Sequence, residues 1–445
     1  MTSWLRPWIV CVFVSASVAC GSASGRSIAE GIGPSPTLPP PSTSLVPTVN
    51  VVTAVGWSGD QRPRAADGLT VAAFARDLLH PRWLYVLPNG DVLVAETNAP
   101  PRPKDATGIK GWFFKRYQKK AGGAVPSANR ISLLRDADGD GSAEVRTTFL
   151  DGLNAPFGMA LVGNMLYIAN TDAVVRVPYD PGSTAATAAA VTVIALPAGL
   201  RNHHWTKNLI ASADGTKLFI AIGSNSNAAE NGMDEERGRA ELWELDVASG
   251  QHRVYATGLR TPVGMALAPE SGALWVAVNE RDELGHDLVP DYMTAVREGG
   301  FYGWPYSYFG QHVDTRVSPS RPDLVATAVV PDYALGAHTA SLGLAASAPS
   351  SSWPPPFGVG MFVGQHGSWN RTPRSGYKVI FVPFSGGTPA AGAALDVLTD
   401  FVTDDGKALG RPVGVAIDAR GGLLVADDVG NVVWRVRSAT PRAAP

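Results

Sequence analysis

No cysteine occurs after position 20; the chain's only two, Cys11 and Cys20, lie in its first twenty residues. Disulfide scaffolds, Cys-ligated zinc, iron–sulfur clusters and covalent c-type haem are therefore excluded from the folded part. An excess of one charge is missing too: 37 Lys+Arg stand against 39 Asp+Glu, a formal net charge of −2. Nothing in that balance favours nucleic acid as a partner. No Gly-rich phosphate loop, HExxH or GxSxG elbow is present, and no long stretch carries a convincing 3.6-residue apolar period. Glycine (48) and proline (35), by contrast, approach a fifth of the 445 residues, against an ordinary ~12%. So many turns imply many short strands, and 45% hydrophobic residues can bury a large core.

Arg6 precedes an apolar stretch from Pro7 to Ala19, too short to cross a bilayer of ~30 Å at 1.5 Å per residue. It reads as a secretory h-region. Ser17-Val18-Ala19-Cys20-Gly21 allows cleavage after Ala19, or a bacterial lipobox in which Cys20 is lipidated. Ser17 departs from the aliphatic residue that a lipobox usually carries there. The Gly-, Ser-, Thr- and Pro-rich segment from Gly21 to about Pro47 nevertheless favours an anchor, because its composition suits a tether better than a fold. The expected division is a signal at 1–20, a disordered linker at 21–48 and a folded domain at 49–440. The protein is expected to be exported to the periplasm or cell envelope, touching a membrane only through Cys20.

One pattern recurs along the folded part: Pro, then Gly or an aromatic, an apolar strand, a Gly or Asn turn, a second apolar strand, and a polar end. It reads Pro81-Arg82-Trp83-Leu84 to Glu96, then Pro156-Phe157-Gly158-Met159 to Asn170. It returns as Pro262-Val263-Gly264-Met265 to Ala277, and as Pro412-Val413-Gly414-Val415 to Asp427. Looser copies run from Asn208 to Ala221 and from Leu342 to Gly364, which makes six. Alternation and turn chemistry make each a hairpin, and the spacing suits propeller blades. The expected fold class is all-β, a six-bladed β-propeller preceded by the signal and tether. Ligands then bind where inner strands start and end around one channel.

Candidate chemistry follows that register. His203-His204-Trp205 precedes the third hairpin, and adjacent strand residues face opposite sides, so at most one histidine faces the channel. Alone, such a pair reads as surface loop. Arg260 and Arg411 hold matching places before Pro262 and Pro412, and a base converging with cations is catalytic equipment. Asn279-Glu280-Arg281-Asp282-Glu283 offers oxygens for a hard cation or is a solvated acidic loop. Asp136-x-Asp138-x-Asp140-Gly141 matches the first half of a calcium loop, but Thr147 stands at the twelfth position, where an EF-hand needs Glu. A calcium loop and a plain hairpin turn both remain open. Structural packing is expected of the aromatic segment Gly299 to Tyr306, and an insert lying against its blade of the basic, aromatic Lys110 to Lys120.

From about Gly68 to Val436 the sequence resembles the sorbosone/glucose dehydrogenase group, propellers that use pyrroloquinoline quinone (PQQ), and especially its sorbosone and pyranose dehydrogenase branch. The likeness is carried by Ser127-Ala128-Asn129-Arg130-Ile131 to Phe157-Gly158-Met159, by Asn279 to Leu284 with Gly303-Trp304-Pro305-Tyr306, and by Gly364-Gln365-His366-Gly367-Ser368-Trp369-Asn370-Arg371. It implies His204 as the base, Arg260 facing the quinone carbonyl, and Arg411 pairing with PQQ carboxylates. It also implies a calcium ion on main-chain oxygens of Glu280 and Arg281. The Asp that orients the histidine falls at Ser224, the residues after the arginine become Thr261 and Val263, and a second arginine becomes Val413. The cofactor lysine lacks a counterpart, with His366 or Arg371 in its stead; Thr261 is the remaining cofactor candidate. The implied activity is PQQ- and calcium-dependent hydride transfer from a sugar or sugar aldehyde, with electrons leaving to an external cytochrome or quinone. A calcium-dependent propeller lactonase, in which Glu96 and Asn170 would help hold a channel metal, and a non-catalytic envelope binding propeller are the alternatives.

Overall fold

The structure, a computed structural model, describes residues 23–42, 48–101, 108–348 and 353–439. The expected signal, with Cys11 and Cys20, lies outside them. Six antiparallel meanders follow one another around a central channel. Blade one is Pro81–Val86, Val92–Glu96, Arg130–Arg135 and Val145–Leu150. The inner strands of blades two to six are Met159–Val162, Lys207–Ala211, Pro262–Leu267, Ser341–Ser347 and Pro412–Ile417. All six recurrent hairpins are thus the inner halves of blades. Blade six takes its outermost strand, Leu69–Ala75, from the start of the domain, paired with Val432–Ser438. That exchange closes the ring and removes the exposed sheet edge that an open array would carry.

The pattern recurs because neighbouring inner strands meet backbone to backbone. A Cβ added at Gly343 would lie 2.2 Å from the Val413 oxygen, and one at Gly414 2.7 Å from the Arg82 oxygen. Gly158 and Gly264 face the next blade in the same way. At this step the inner strand slips out of register with its partner, as between Pro412 and Val415 and between Pro262 and Met265. Aromatics also fill the seams of the first three blades, Trp83 standing where blades two, four, five and six carry glycine. Trp83 of blade one packs on Phe157 at 4.8 Å between ring centroids, and Phe157 on Trp205 at 6.2 Å.

Residues 23–42, expected as part of a linker, lie along blade four. Ile32–Gly33 pairs with its outer strand, Tyr333–Ala337, Ser42 N–H donates to Leu284 O, and Ser24 Oγ meets both Asp287 oxygens at 2.7 and 2.8 Å. Main-chain and polar hydrogen bonds hold this segment, which is why its low apolar content did not announce it. The basic insert is a helix, Gly108–Lys120, between the second and third strands of blade one.

Replacing Gly343 by Ala should cost about 1–3 kcal/mol of unfolding free energy, because the neighbouring backbone cannot give way. Gly358, with nothing within 4 Å, should accept Ala within about 0.5 kcal/mol. Urea denaturation of the two variants checks the contrast; equal effects would refute the packing account.

Candidate active site

Strand direction decides which loops share an end of the channel. Inner strands all leave from one rim, and the next strand of each blade returns to it. His204, Arg260, Thr261 and Arg411 immediately precede inner strands. Ser224, Glu280, Arg281, His366 and Asp428 follow second strands. All nine therefore gather at the same rim. Asp136, Asp138 and Asp140 follow the third strand of blade one and lie at the opposite rim.

His204 is oriented by Ser224. Its Nδ1 is 2.8 Å from the Ser224 main-chain oxygen and 2.9 Å from Ser224 Oγ. A carbonyl only accepts, so Nδ1 carries the proton and Nε2 the lone pair. Ser224 Oγ in turn donates to Ser226 O at 2.8 Å. Gly223 lets His204 and Thr261 approach, since a Cβ there would meet His204 Cβ at 2.7 Å and Thr261 Cγ2 at 3.3 Å. The fully buried Lys207 reaches the main-chain oxygens of His204 and Trp205 at 3.5 and 3.4 Å and steadies the turn from below.

Arg260 is clamped in one plane by oxygens. Nε and Nη2 donate to Asn227 O and Oδ1 at 3.2 and 3.0 Å, and Nη1 to Glu280 O at 2.7 Å and Asn279 O at 3.3 Å. A metal ion on the Glu280 main-chain oxygen would share that oxygen with the guanidinium. Asp282 lies 4.0 Å away. Burial alone would raise its carboxyl, but His338, Arg260 and Asn370 hold it below the ordinary carboxylate range. The Arg281 side chain points elsewhere, into the aromatic segment, where it donates to Pro305 O, Ser307 O and Asp314 Oδ2 at 2.7–3.1 Å. Arg371 is likewise engaged in packing, on His286 O, Pro373 O and Asp287 Oδ1.

His366 and Arg411 belong to a cluster around Asp428 whose other members the sequence did not reveal. Arg411 donates to the main-chain oxygens of His366 and Gly367, both at 2.9 Å. His366 Nε2 lies 2.9 Å from Asp428 Oδ2, Arg82 Nη1 2.7 Å, and His80 Nε2 3.5 Å. Burial would raise the Asp428 carboxyl, but the two histidines and Arg82 hold it well below the ordinary range. Buried polar atoms at this rim without a hydrogen-bond partner include Thr261 Oγ1, Asn170 Oδ1, Arg82 Nε and Glu280 Oε1. Buried polar atoms are normally paired; Thr261 Oγ1 and Arg82 Nε can donate to a planar cofactor bearing carboxylates and carbonyls, whereas Asn170 Oδ1 only accepts and needs a hydroxyl or N–H. The rim fits such a group.

Glu96 is not free to hold a channel metal: it is fully buried, 3.0 Å from Arg130 and 3.7 Å from Arg146, and it accepts from Ser132 Oγ and Leu79 N–H. At the far rim, one oxygen from each of Asp136, Asp138, Asp140 and Glu144 lies within 4.8 Å of the others. Asp136 there already pairs with Arg420 at 3.0 Å and Arg435 at 3.5 Å.

A family model described as TrAA12-like matches residues 127–296 and 323–439, more than half of the chain. The chain belongs to the TrAA12-like family. Among its relatives, the pyrroloquinoline quinone-dependent pyranose dehydrogenase of Coprinopsis cinerea is 24% identical over 86% of this chain, which spans 56% of that protein's length. The calcium structure of a Trichoderma reesei carbohydrate-active enzyme of family AA12 superposes with a TM-score of 0.68 at 19% identity, covering 86% of this chain and all of that one. The holo form of the C. cinerea pyranose dehydrogenase PQQ domain gives 0.67 at 21%, covering 87% and all. At these identities the likeness is one of fold, and it agrees with the six-bladed ring of this TrAA12-like protein.

Burial, reinforced by Arg411, pushes His366 down to about 4, and burial with Arg82 lowers His80 to about 4 against the pull of Asp428. Between pH 6.5 and 4 such an imidazole takes up its proton only on unfolding, so its contribution to stability falls as pH drops through that range. Asp291 and Asp427, raised to about 6 by burial, act in the opposite sense as pH rises from 3.8 to 6. The whole-protein curve therefore mixes both. The difference between wild type and His366→Gln isolates one of them. It should move against wild type by at most about 1.4 kcal/mol per pH unit on going from 6.5 to 4. Urea titrations across that range check it, and a pH-independent difference would contradict a neutral buried His366.

Proposed function

We propose that this protein oxidises a sugar or sugar aldehyde with PQQ held at the rim that gathers His204, Arg260 and Arg411. The observation that carries the reading is a tautomer-fixed histidine and clamped arginines beside buried, unpartnered polar atoms. The names of the C. cinerea relative and its PQQ domain support the same cofactor. When bound, PQQ supplies an electrophilic quinone that accepts a hydride equivalent. His204 takes the substrate hydroxyl proton at Nε2, while Ser224 holds Nδ1–H and so keeps the ring turned for that task. Arg260, fixed before substrate arrives, places a cation where negative charge develops and loses little to reorganisation. Arg411 and His366 would hold the cofactor's acidic groups, and Thr261 Oγ1 would donate to it. Main-chain oxygens of Glu280 and Arg281 would hold calcium beside Arg260, and the Asp136, Asp138 and Asp140 loop is a second, remote calcium candidate. Electrons leave to an external cytochrome or quinone, and the protein works outside the cytoplasmic membrane.

The test is reconstitution of purified protein with PQQ and calcium, followed by dye reduction with a panel of aldoses and sugar aldehydes. Turnover should depend on PQQ, and His204→Ala should lose about 10²- to 10⁴-fold in kcat while still binding it. No reduction with any substrate, together with no spectral sign of bound quinone, would defeat the reading.

A further inference from the structure

The residue after the blade-opening position is apolar in four blades: Phe157, Val263, Leu342 and Val413 all enter one buried cluster around the channel. Blade one breaks that rule with Arg82. Its Pro81 and the Pro412 of blade six pair with the last residue of their second strands, Glu96 and Asp427, so Arg82 and Val413 are register equivalents. The guanidinium lies 5.7 Å from the ring centroid of Trp205, the neighbour of His204. One nitrogen is held by Asp428 at 2.7 Å. Nε is buried without a partner. Asp428 N–H meets Arg411 O at 3.4 Å, so the main chain of Arg411 runs beside Asp428. The neighbouring Asp427 is already engaged by Arg411 N–H, Gly430 N–H and the indoles of Trp57 and Trp434. Burying a guanidinium with an unpaired N–H is costly unless an anion completes its shell.

We propose that Arg82 is an anion-binding residue of the cofactor site, its guanidinium held ready by Asp428 to take a carboxylate of the bound quinone from the blade-one side. The inference rests on the PQQ reading and deepens it. It adds a cation from a blade in which the sequence pattern offered only a strand.

The test compares binding of PQQ and of its uncharged trimethyl ester to the metal-free and calcium-loaded full chain, read by quenching of tryptophan fluorescence, for which Trp205 is well placed. Wild type should prefer the acid. Arg82→Gln should weaken PQQ binding about 10- to 100-fold, the loss expected for a charge-assisted hydrogen bond, with ester affinity unchanged. Arg82→Gln/Asp428→Asn removes both partners and leaves no lone buried carboxylate; it should lose the same preference and decides the matter if the single variant does not fold. If wild type binds both compounds and the variants keep its preference for the acid, the role of Arg82 is overturned. If wild type binds neither, the dehydrogenase reading itself falls, and this proposal with it.

Discussion

Everything else in the molecule depends on six inner strands standing so close around one axis that backbone meets backbone. A ring of that radius leaves no room for a Cβ at Gly343 or Gly414, and the strand must slip register beside them. Apolar residues one place earlier close the channel wall, among them Val263, Leu342 and Val413. Polar groups are thereby confined to the rims, where strands begin and end. A catalytic group built on such a rim inherits the rigidity of two sheets, which is what a site requiring placement to within about 0.5 Å demands.

Placement of charge at the rim follows from that rigidity. Arg260 donates to oxygens of Asn227, Asn279 and Glu280, and carbonyl dipoles stabilise its charge without neutralising it. A carboxylate partner at hydrogen-bond distance would cancel the field of the guanidinium, whereas Asp282 stands off at 4.0 Å and is itself shared with His338 and Asn370. His204 shows the same economy. Ser224 fixes its tautomer through a neutral carbonyl and hydroxyl, so the imidazole is turned correctly without the rise in basicity that a carboxylate would add.

The ring itself was legible because its constraint is written six times, as Pro, a small or aromatic residue and an apolar hairpin. That His204, Arg260 and Arg411 gather at one rim was legible for the same reason: equivalent positions in a rotational repeat converge. What stayed hidden breaks the repeat or acts through the main chain. Arg82 occupies a slot that reads as strand interior, and Asp428 reads as the polar end of a hairpin until His366 and Arg82 are seen on it. Residues 23–42 have the composition of a linker, yet their hydrogen bonds to blade four owe nothing to side-chain hydrophobicity. Arg371 looked like a cofactor residue from its motif, but its guanidinium ties loops together; Arg281 was expected to serve through its main-chain oxygen, and its guanidinium likewise holds the aromatic segment.

The seam between the last and first blades explains why charge collects where it does. Elsewhere the chain runs directly from one blade into the next, but blade six and blade one are joined only through the exchanged strand Leu69–Ala75. Ion pairs bridge that seam at both rims. Arg82 of blade one meets Asp428 of blade six at one end, and Asp136 of blade one meets Arg420 and Arg435 of blade six at the other. Asp418 adds a second carboxylate to Arg435 at 2.6 Å. A surface pair such as Asp136–Arg420 contributes little by itself, but Arg435 is buried and leaving it alone would be costly. The acidic loop that most resembles a calcium motif therefore supplies a carboxylate that the seam requires. At the opposite rim the same need for a cross-seam pair set Arg82 in the channel, where its remaining N–H can serve a ligand.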